Sequence, residues 1–402
     1  MSKILNRIFL LTLPFFLLSG TSFGSMFDGV EVEVAKEAGS EIWLVSGKAS
    51  GGSASKIKSL SFTDLYADAA DLSARISSVK AWASGDRELK LRRFGSGDYQ
   101  ADESINAFSY EINLAPPENL IVAPHVSWSK TVNAKFAPRA LLKGEDLLPE
   151  LGDTNFRIKF RLPEGWSISS DLPAGEGSVY EFMDRGRAVF FMGNGLRVHT
   201  KTSSGVTLQF AIVDEWQFDD SVVPGMALEI VEFYRRVFGA VPRSGIQINL
   251  MQFPGNFGND RWRAQTQGAT VTIVSSVSTY RNLAEQRLHE QLRHELFHLW
   301  IPEAVQLEGE YSWFFEGFAQ YQALKAGVKV GRLTFADFLR SMSEAITITS
   351  FDRSDLPLHD LASSRWQVGP GVIAARGMTV AFHSDLVLLK QTKRKMSTDD
   401  IV

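Results

Sequence analysis

The stretch that decides the fold is HELFH, residues 294–298, in a run of helical spacing that Pro302 ends. Residues i and i+4 lie on one face of an α-helix, so His294 and His298 can direct two imidazoles at one metal ion. Glu295 lies about 100° round the helix from His294, which keeps it out of the coordination sphere but within reach of a reacting water. The chain has only seven histidines among 402 residues, so this spacing is improbable by chance.

A third ligand is predicted on a second helix, YSWFFEGFAQYQALKAG, where Glu316 lies near the start. Catalytic zinc takes three protein ligands and keeps one open position. Two neutral imidazoles and one carboxylate leave a net positive charge, which preserves the Lewis acidity of the ion. The sequence therefore predicts about one Zn²⁺ per chain, bound by His294, His298 and Glu316, with Glu295 as general base. The alternative is a helix whose histidines are solvated or packed in a core and whose glutamate is a surface charge.

The chain divides into two halves with different patterns. From about residue 31 to residue 213, short alternating segments such as EVEVAK and FRIKFRLP are separated by Gly, Pro, Asn and Asp, which is typical of strands. After Pro224, helical runs such as 282–301 alternate with strand-like runs. We therefore predict an α+β protein with a signal peptide at 1–24, a β-rich domain at 25–218 and a catalytic domain at 219–402.

The first residues predict export. Lys3 and Arg7 precede an apolar run, residues 8–18, and Ser22 and Gly24 offer the small side chains of a cleavage site. The run is short and contains a proline, so an uncleaved membrane anchor or a buried helix is the weaker interpretation. The chain has no cysteine and hence no disulfide. We expect a periplasmic or secreted protein with no integral membrane span after cleavage.

The charge balance restricts the partners. A formal net charge of −4 provides no electrostatic basis for binding nucleic acid or an anionic membrane. The basic run KQTKRK, residues 390–395, is interpreted as a solvated helix end. The expected partner is a peptide or protein substrate.

HELFHLW followed by WFFEGFAQY resembles the gluzincin metallopeptidases, in which a glutamate on a second helix is the third zinc ligand. Within them the chain looks most like the glycyl aminopeptidase family, through LPEGW at 162–166, FYRRVFGAVP at 233–242 and the stretch that begins ARGMTV at residue 375. The similarity covers roughly residues 145–402. It implies a thermolysin-like zinc peptidase domain and hydrolysis of peptide bonds, with small residues such as alanine or glycine favoured at the amino end.

One departure from that family concerns catalysis. The family carries a tyrosine three residues before a glycine, and this tyrosine stabilises the oxyanion; here the matching residues are Ala374 and Gly377. Removal of an oxyanion donor typically lowers kcat by about 10²–10³-fold. Arg376 and His383 are candidate replacements, although a solvated cation is the simpler interpretation of each. The alternative function is therefore a zinc-binding pseudo-peptidase, or a partner-binding envelope protein without efficient catalysis.

Two further residues are assigned from their positions. The segment QTQGAT, residues 265–270, occupies the place of the family's Gly-rich substrate strand but has no acidic residue for a free amine. Gly268 is predicted to let a substrate backbone approach, with a β-bulge as the alternative. Gln320, one turn after Glu316, is predicted to orient a ligand histidine or to be an ordinary polar position.

The end of the chain is interpreted as the start of a helix. Residues 397–402 combine Ser, Thr and Asp with the first apolar residues of a helical pattern. A single helical turn is not stable by itself, because nucleation of a helix is unfavourable. We therefore expect the C-terminal helical part of the catalytic domain to be incomplete.

Overall fold

The computed structural model describes residues 27–37, 39–131, 137–305, 307–309, 311–351, 356–363 and 369–400. The segment expected to be a signal peptide, residues 1–24, lies outside these residues. Its role in export therefore stays a prediction.

Three β-sheets make up most of the first half. Their strands are β1 (Gly29–Lys36), β2 (Ile42–Ser50), β3 (Ser59–Ser61), β4 (Ile76–Trp82), β5 (Glu88–Leu89), β6 (Arg92–Arg93), β7 (Asp98–Gln100), β8 (Ala107–Asn113), β9 (Trp128–Lys130), β10 (Arg139–Lys143), β11 (Phe156–Arg161), β12 (Trp166–Ser169), β13 (Val179–Phe182) and β14 (Val189–Asn194). The sheet orders are β13-β11-β1-β2-β8-β4-β5, β12-β14-β10-β9 and β3-β7-β6. In β2, Trp43 and Val45 are buried whereas Leu44 between them is exposed, as a half-buried strand requires. The prediction of a mostly-β first half is confirmed.

A fourth sheet carries the second half. It contains β15 (Arg197–Ser203), β16 (Val206–Ile212), β17 (Gly245–Gln252), β18 (Trp262–Gln267) and β19 (Thr270–Ser275) in the order β15-β16-β17-β19-β18. β16 pairs in parallel with β17, so two strands that precede residue 218 join the sheet of the second half. This sheet therefore extends across the domain boundary predicted near 218. Alternation identifies a strand but does not tell which sheet it joins.

The described residues also form seven α-helices: α1 (Gly144–Leu147), α2 (Val222–Phe238), α3 (Arg281–His298), α4 (Ser312–Lys329), α5 (Phe335–Phe351), α6 (Leu358–Ser363) and α7 (Pro370–Gln391). Leu208, Ile248 and Ile273 of the sheet share one apolar core with Ile230 of α2 and Leu292 of α3. Burial of these side chains from water is the main force that holds α2 and α3 on the sheet. The α+β class is confirmed.

The helix with the HELFH motif ends earlier than its pattern predicts. We expected it to continue to residue 301, but α3 ends at His298. Pro302 has no N–H group, so it cannot donate to the His298 carbonyl four residues earlier. That carbonyl accepts a hydrogen bond from Glu303 N instead, at 3.1 Å. The proline thus ends the helix immediately after the second histidine of the motif.

The two halves share a continuous interior. Leu141 and Phe191 of the first half pack with Met251 of β17 in one apolar cluster. Beside it, the guanidinium of Arg139 meets the carboxylate of Asp214 at 2.8 Å, with both side chains buried. A buried ion pair is tolerated only with further hydrogen bonds, and Arg139 also donates to the Gln252 carbonyl at 2.9 Å. The first half is therefore held in a fixed position beside the sheet of the second half.

Two glycines allow α4 and α7 to cross at close range. A Cβ atom on Gly317 would overlap the backbone of Gly377, and a Cβ on Gly377 would overlap the Trp313 carbonyl. Only hydrogen fits at either position. Because Gly317 follows Glu316 directly, this crossing determines where the predicted third ligand lies.

Helix α7 is also the most apolar long helix that the structure describes. Its segment Gly371–Gln391 is long and apolar enough to cross a membrane by length and composition alone, a test that core helices of soluble proteins also pass. In this fold α7 packs against α4 and α5. The absence of an integral membrane span after signal cleavage remains an expectation.

Replacing Gly377 by alanine should destabilise the protein by about 1–3 kcal/mol or more, because the added methyl group must push α4 and α7 apart. The matched control is Gly371→Ala in the same helix, where no atom lies within 4 Å of the added Cβ. Chemical denaturation measures both free energies of unfolding. Equal stability of the two variants would contradict the close crossing.

Candidate metal centre

Helix α3 places the two predicted histidine ligands side by side. The Nε2 atoms of His294 and His298 are 3.1 Å apart, and the ring centroids are 4.8 Å apart. Four atoms around zinc at tetrahedral angles and usual Zn–N lengths lie about 3.3 Å from one another. The separation of the two nitrogens is therefore suited to a shared zinc ion.

Helix α4 brings in the third donor. Glu316 Oε2 lies 3.2 Å from His294 Nε2, and Glu316 Oε1 lies 3.7 Å from His298 Nε2. The three ligand atoms lie within 4.8 Å of one another. The Glu316 side chain is 41 % exposed, so the cluster is open to solvent on that side. Three donors of the types that zinc prefers, with one open side, fit this metal.

The charges in this cluster favour a bound cation. Burial alone would raise the pKa of Glu316, but the imidazoles of His298 and His294 outweigh it and bring the pKa to about 2. Glu316 therefore stays ionised at any physiological pH. Burial would lower the pKa of His294, yet the hydrogen bond and the charge of Glu316 raise it above the usual value. The carboxylate thus attracts positive charge to the point where the metal is predicted.

A backbone carbonyl orients one of the ligands. His298 Nδ1 lies 3.0 Å from the Ile301 carbonyl oxygen. A carbonyl only accepts, so the proton is on Nδ1 and the lone pair of Nε2 is free for a metal. Gln320 was predicted to orient a ligand histidine or to be an ordinary polar position; its side chain is exposed and has no hydrogen bond to either histidine among the described residues, which agrees with the second interpretation. The turn before Pro302 fills that role for His298.

Glu295 lies beside the ligands and is held by an adjacent strand. The residue is 5 % exposed, and Thr266 Oγ1 lies 2.8 Å from Glu295 Oε2 and 2.8 Å from the Glu295 carbonyl oxygen. One hydroxyl has one proton, and a carboxylate is the stronger acceptor. The hydroxyl therefore holds one carboxylate oxygen and leaves Oε1 available. Thr266 is a site residue that the motif did not indicate, because it lies outside the zinc helix.

Gly268 lies in a turn rather than along the edge strand. Its φ is +63°, in the connection between β18 and β19, and a Cβ atom would lie 3.1 Å from the Arg187 carbonyl oxygen. A left-handed φ and a close backbone neighbour explain the glycine without a substrate. The neighbour is the first half of the same chain, and the predicted approach of a substrate backbone to Gly268 stays a prediction. β18 itself is an edge strand, as expected.

The family's oxyanion position is on α7. Ala374 is half-buried, one turn before the Gly377 crossing. Arg376 donates through Nη1 to the Leu356 carbonyl at 3.0 Å, and His383 is exposed.

The first half contributes a histidine, His125, to this region. Burial lowers the pKa of His125 to about 4; the charge of Lys143 lowers it further, and the charge of Glu316 opposes the shift. His125 is therefore a neutral imidazole near the metal ligands. No motif in the sequence around it would have identified it.

The fold has relatives among solved structures. The chain is similar to the crystal structure of an aminopeptidase N family protein from Idiomarina loihiensis, with a TM-score of 0.74 and 14 % sequence identity. The alignment covers 92 % of this chain and 69 % of that chain. The two chains share a fold. No protein-family model matches the sequence, and the comparison with curated proteins finds no match.

This likeness supports part of what the motif implies. A shared fold with an aminopeptidase N family protein is consistent with a gluzincin peptidase fold. At 14 % identity the likeness concerns the fold alone. Membership of the glycyl aminopeptidase family, the thermolysin-like domain and zinc itself remain predictions.

Removal of one ligand should abolish tight metal binding. We expect His298→Ala and Glu316→Ala each to lower zinc affinity by more than about 100-fold, since loss of a ligand costs more than loss of its hydrogen-bond partner. His383→Ala, at an exposed histidine, and Glu295→Gln should keep about one zinc per chain. Elemental analysis after dialysis against zinc measures this. Equal zinc content in all four variants would exclude this site.

Proposed function

We propose that the protein is a zinc-dependent peptidase that hydrolyses peptide bonds. The observation that carries the proposal is the convergence of His294, His298 and Glu316 beside the buried carboxylate of Glu295. The shared fold with an aminopeptidase N family protein supports it. Zinc, when bound, supplies Lewis acidity toward a peptide carbonyl and a water molecule.

The chain's own residues account for the proton transfers. Glu295 accepts the proton that water loses as its oxygen attacks the peptide carbonyl carbon. It then returns this proton to the nitrogen that leaves when the C–N bond breaks. Thr266 holds Glu295 Oε2, so the carboxylate cannot rotate away from the reacting water. The exposed edge of β18 offers backbone groups with which an extended peptide can pair.

The family resemblance adds an aminopeptidase preference for small amino-terminal residues. This finer proposal needs a group that binds an ammonium. β18 offers Gln265 and Gln267, and no carboxylate lies within this strand. The chemistry of the strand therefore supports peptide hydrolysis more directly than recognition of a free amine.

A zinc-binding pseudo-peptidase is the second candidate, and Ala374 is the observation that favours it. An alanine cannot donate to an oxyanion, and loss of such a donor slows catalysis by about 10²–10³. In that case the first half would bind a partner and the metal centre would be a scaffold. About one zinc per chain with no cleavage across a peptide library would support this candidate.

The sequence also supports a place of action outside the cytosol. The basic and apolar residues of segment 1–24 follow the pattern of a signal peptide. We therefore include a periplasmic or secreted location in the proposal, with peptides or proteins as substrates.

Chelation of zinc should abolish peptidase activity, and added zinc should restore it. Glu295→Gln should lower kcat by about 10²–10⁴ while zinc content is unchanged, because an amide cannot accept the proton. Glu285→Gln on the same helix, which removes an exposed partner of Arg281, serves as the control. Activity that survives Glu295→Gln would exclude Glu295 as the base.

Thr266→Val should lower kcat by about tenfold or more, since a hydrogen bond to a carboxylate is lost. KM and zinc content should change little, and Thr266→Ser should restore kcat because it keeps the hydroxyl. Thr272→Val is the matched control, since this buried hydroxyl on β19 has no hydrogen-bond partner among the described residues. A kcat that Ser does not restore would show that Thr266 acts only through packing.

A further inference from the structure

A buried lysine from the first half holds two glutamines of the edge strand. Thr266 faces α3, so its neighbours Gln265 and Gln267 face the opposite side of β18, where the first half lies. Lys143 at the end of β10 is fully buried, and its Nζ donates to Gln265 Oε1 at 2.5 Å and to Gln267 Oε1 at 2.8 Å. The ammonium thus turns both amide oxygens inward.

The orientation of each amide follows from this contact. Because both amide oxygens accept hydrogen bonds from Lys143, the amide nitrogens point away from the lysine and donate to other groups. Gln265 Nε2 donates to Tyr66 OH at 3.3 Å, and Gln267 Nε2 donates to the Gly186 carbonyl. Gln265 is half-buried, and its amide carries a second N–H group besides the one bonded to Tyr66.

Two basic side chains lie near Gln265: Lys143, which donates to it, and Arg263, two residues earlier toward the start of β18. The carboxylate of Glu295 meets the opposite face of the strand at Thr266. Lys143 is cationic when protonated, and Arg263 bonds only the Trp262 carbonyl, with no ion pair among the described residues. Burial raises the pKa of the Tyr66 hydroxyl, and the negative charges of three nearby carboxylates raise it further. Each of the three has its own guanidinium partner: Asp146 with Arg75 at 2.7 Å, Glu145 with Arg185 at 3.3 Å and Glu303 with Arg187 at 3.4 Å.

This cluster lies close to the metal centre. Thr266, between the two glutamines, contacts Glu295. His125 interacts electrostatically with both Lys143 and the ligand Glu316. A peptide that pairs antiparallel with β18 runs in the opposite direction, so its amino end lies beside Gln265 and Gln267.

We propose that Lys143, Arg263 and Gln265 form a subsite that selects peptides whose amino end is acylated, above all by a group bearing a carboxylate, over peptides with a free ammonium. The inference rests on the proposed peptidase function and assigns its substrate class. A free ammonium would meet cationic groups and amide donors at this point, which repel it. An acyl oxygen or a carboxylate would meet hydrogen-bond donors and positive charge.

Lys143 also sets the condition of the test. Burial lowers its pKa to about 7, and the charges of Asp146 and Glu295 oppose that shift. The lysine is therefore protonated in mildly acidic solution.

The experiment compares three C-terminally amidated peptides that differ only at the amino end: free amine, N-acetyl and N-succinyl. Cleavage by the zinc-loaded full chain is measured at about pH 6 as kcat/KM, where Lys143 is charged. Dissociation constants are measured with the Glu295→Gln variant. We expect the order succinyl, acetyl, free amine, with about tenfold between the first and the last. Added salt should reduce this ratio.

Two variants locate the effect. Lys143→Met and the more exposed Arg263→Gln should each bring the ratio close to one, whereas Lys159→Met, at an exposed lysine of β11, should leave it unchanged. Arg263→Gln keeps the test valid if the buried Lys143 variant does not fold. Tighter binding of the free-amine peptide, or a ratio that neither variant changes, overturns the subsite.

The two proposals fail separately. If no peptide is cleaved but the binding order holds in Glu295→Gln, the subsite is supported and the peptidase function is rejected. If cleavage depends on zinc and Glu295 but favours the free amine, the peptidase function is supported and the subsite is rejected.

Discussion

The crossing of α4 and α7 is the constraint on which the metal centre depends. Gly317 and Gly377 let two helix backbones meet without side chains between them. This contact sets the position of α4, and Glu316, the residue before Gly317, then lies 3.2 Å from His294. Closely packed backbones leave little room for movement, so the crossing fixes the position of Glu316 relative to the two histidines. The metal ligands on α3 and α4 therefore depend on a glycine that lies on a different helix, α7.

The edge strand β18 connects the rest of the molecule to that centre. On one side Thr266 holds the Glu295 carboxylate. On the other side Gln265 and Gln267 are held by Lys143 of the first half. Successive side chains of a strand point to opposite faces, so one short segment can serve both. The β-rich half consequently contacts the strand that holds Glu295, and the buried pair of Arg139 and Asp214 keeps it in place.

His294, His298 and Glu316 converge as possible metal ligands, but stabilisation of an oxyanion needs a further donor. Ala374 offers no donor where the resembled family has a hydroxyl. The first half contributes His125, whose imidazole is neutral, and the buried amine of Lys143. The proposed subsite would favour an acyl group over an amine through its basic side chains and amide donors. Substrate choice would then depend on residues other than those of the HELFH motif.

The sequence by itself determined the features that depend on local geometry. The i and i+4 spacing placed His294 and His298 on one face, and alternation identified the β-rich first half, because helices and strands impose their own periods on a chain. Tertiary structure alone decided which sheet strands 197–212 join, why Gly268 is a glycine, and that Lys143 reaches Gln267, 124 residues away. Such contacts depend on how distant segments pack, and a periodic pattern contains no information about the partner that a face will meet.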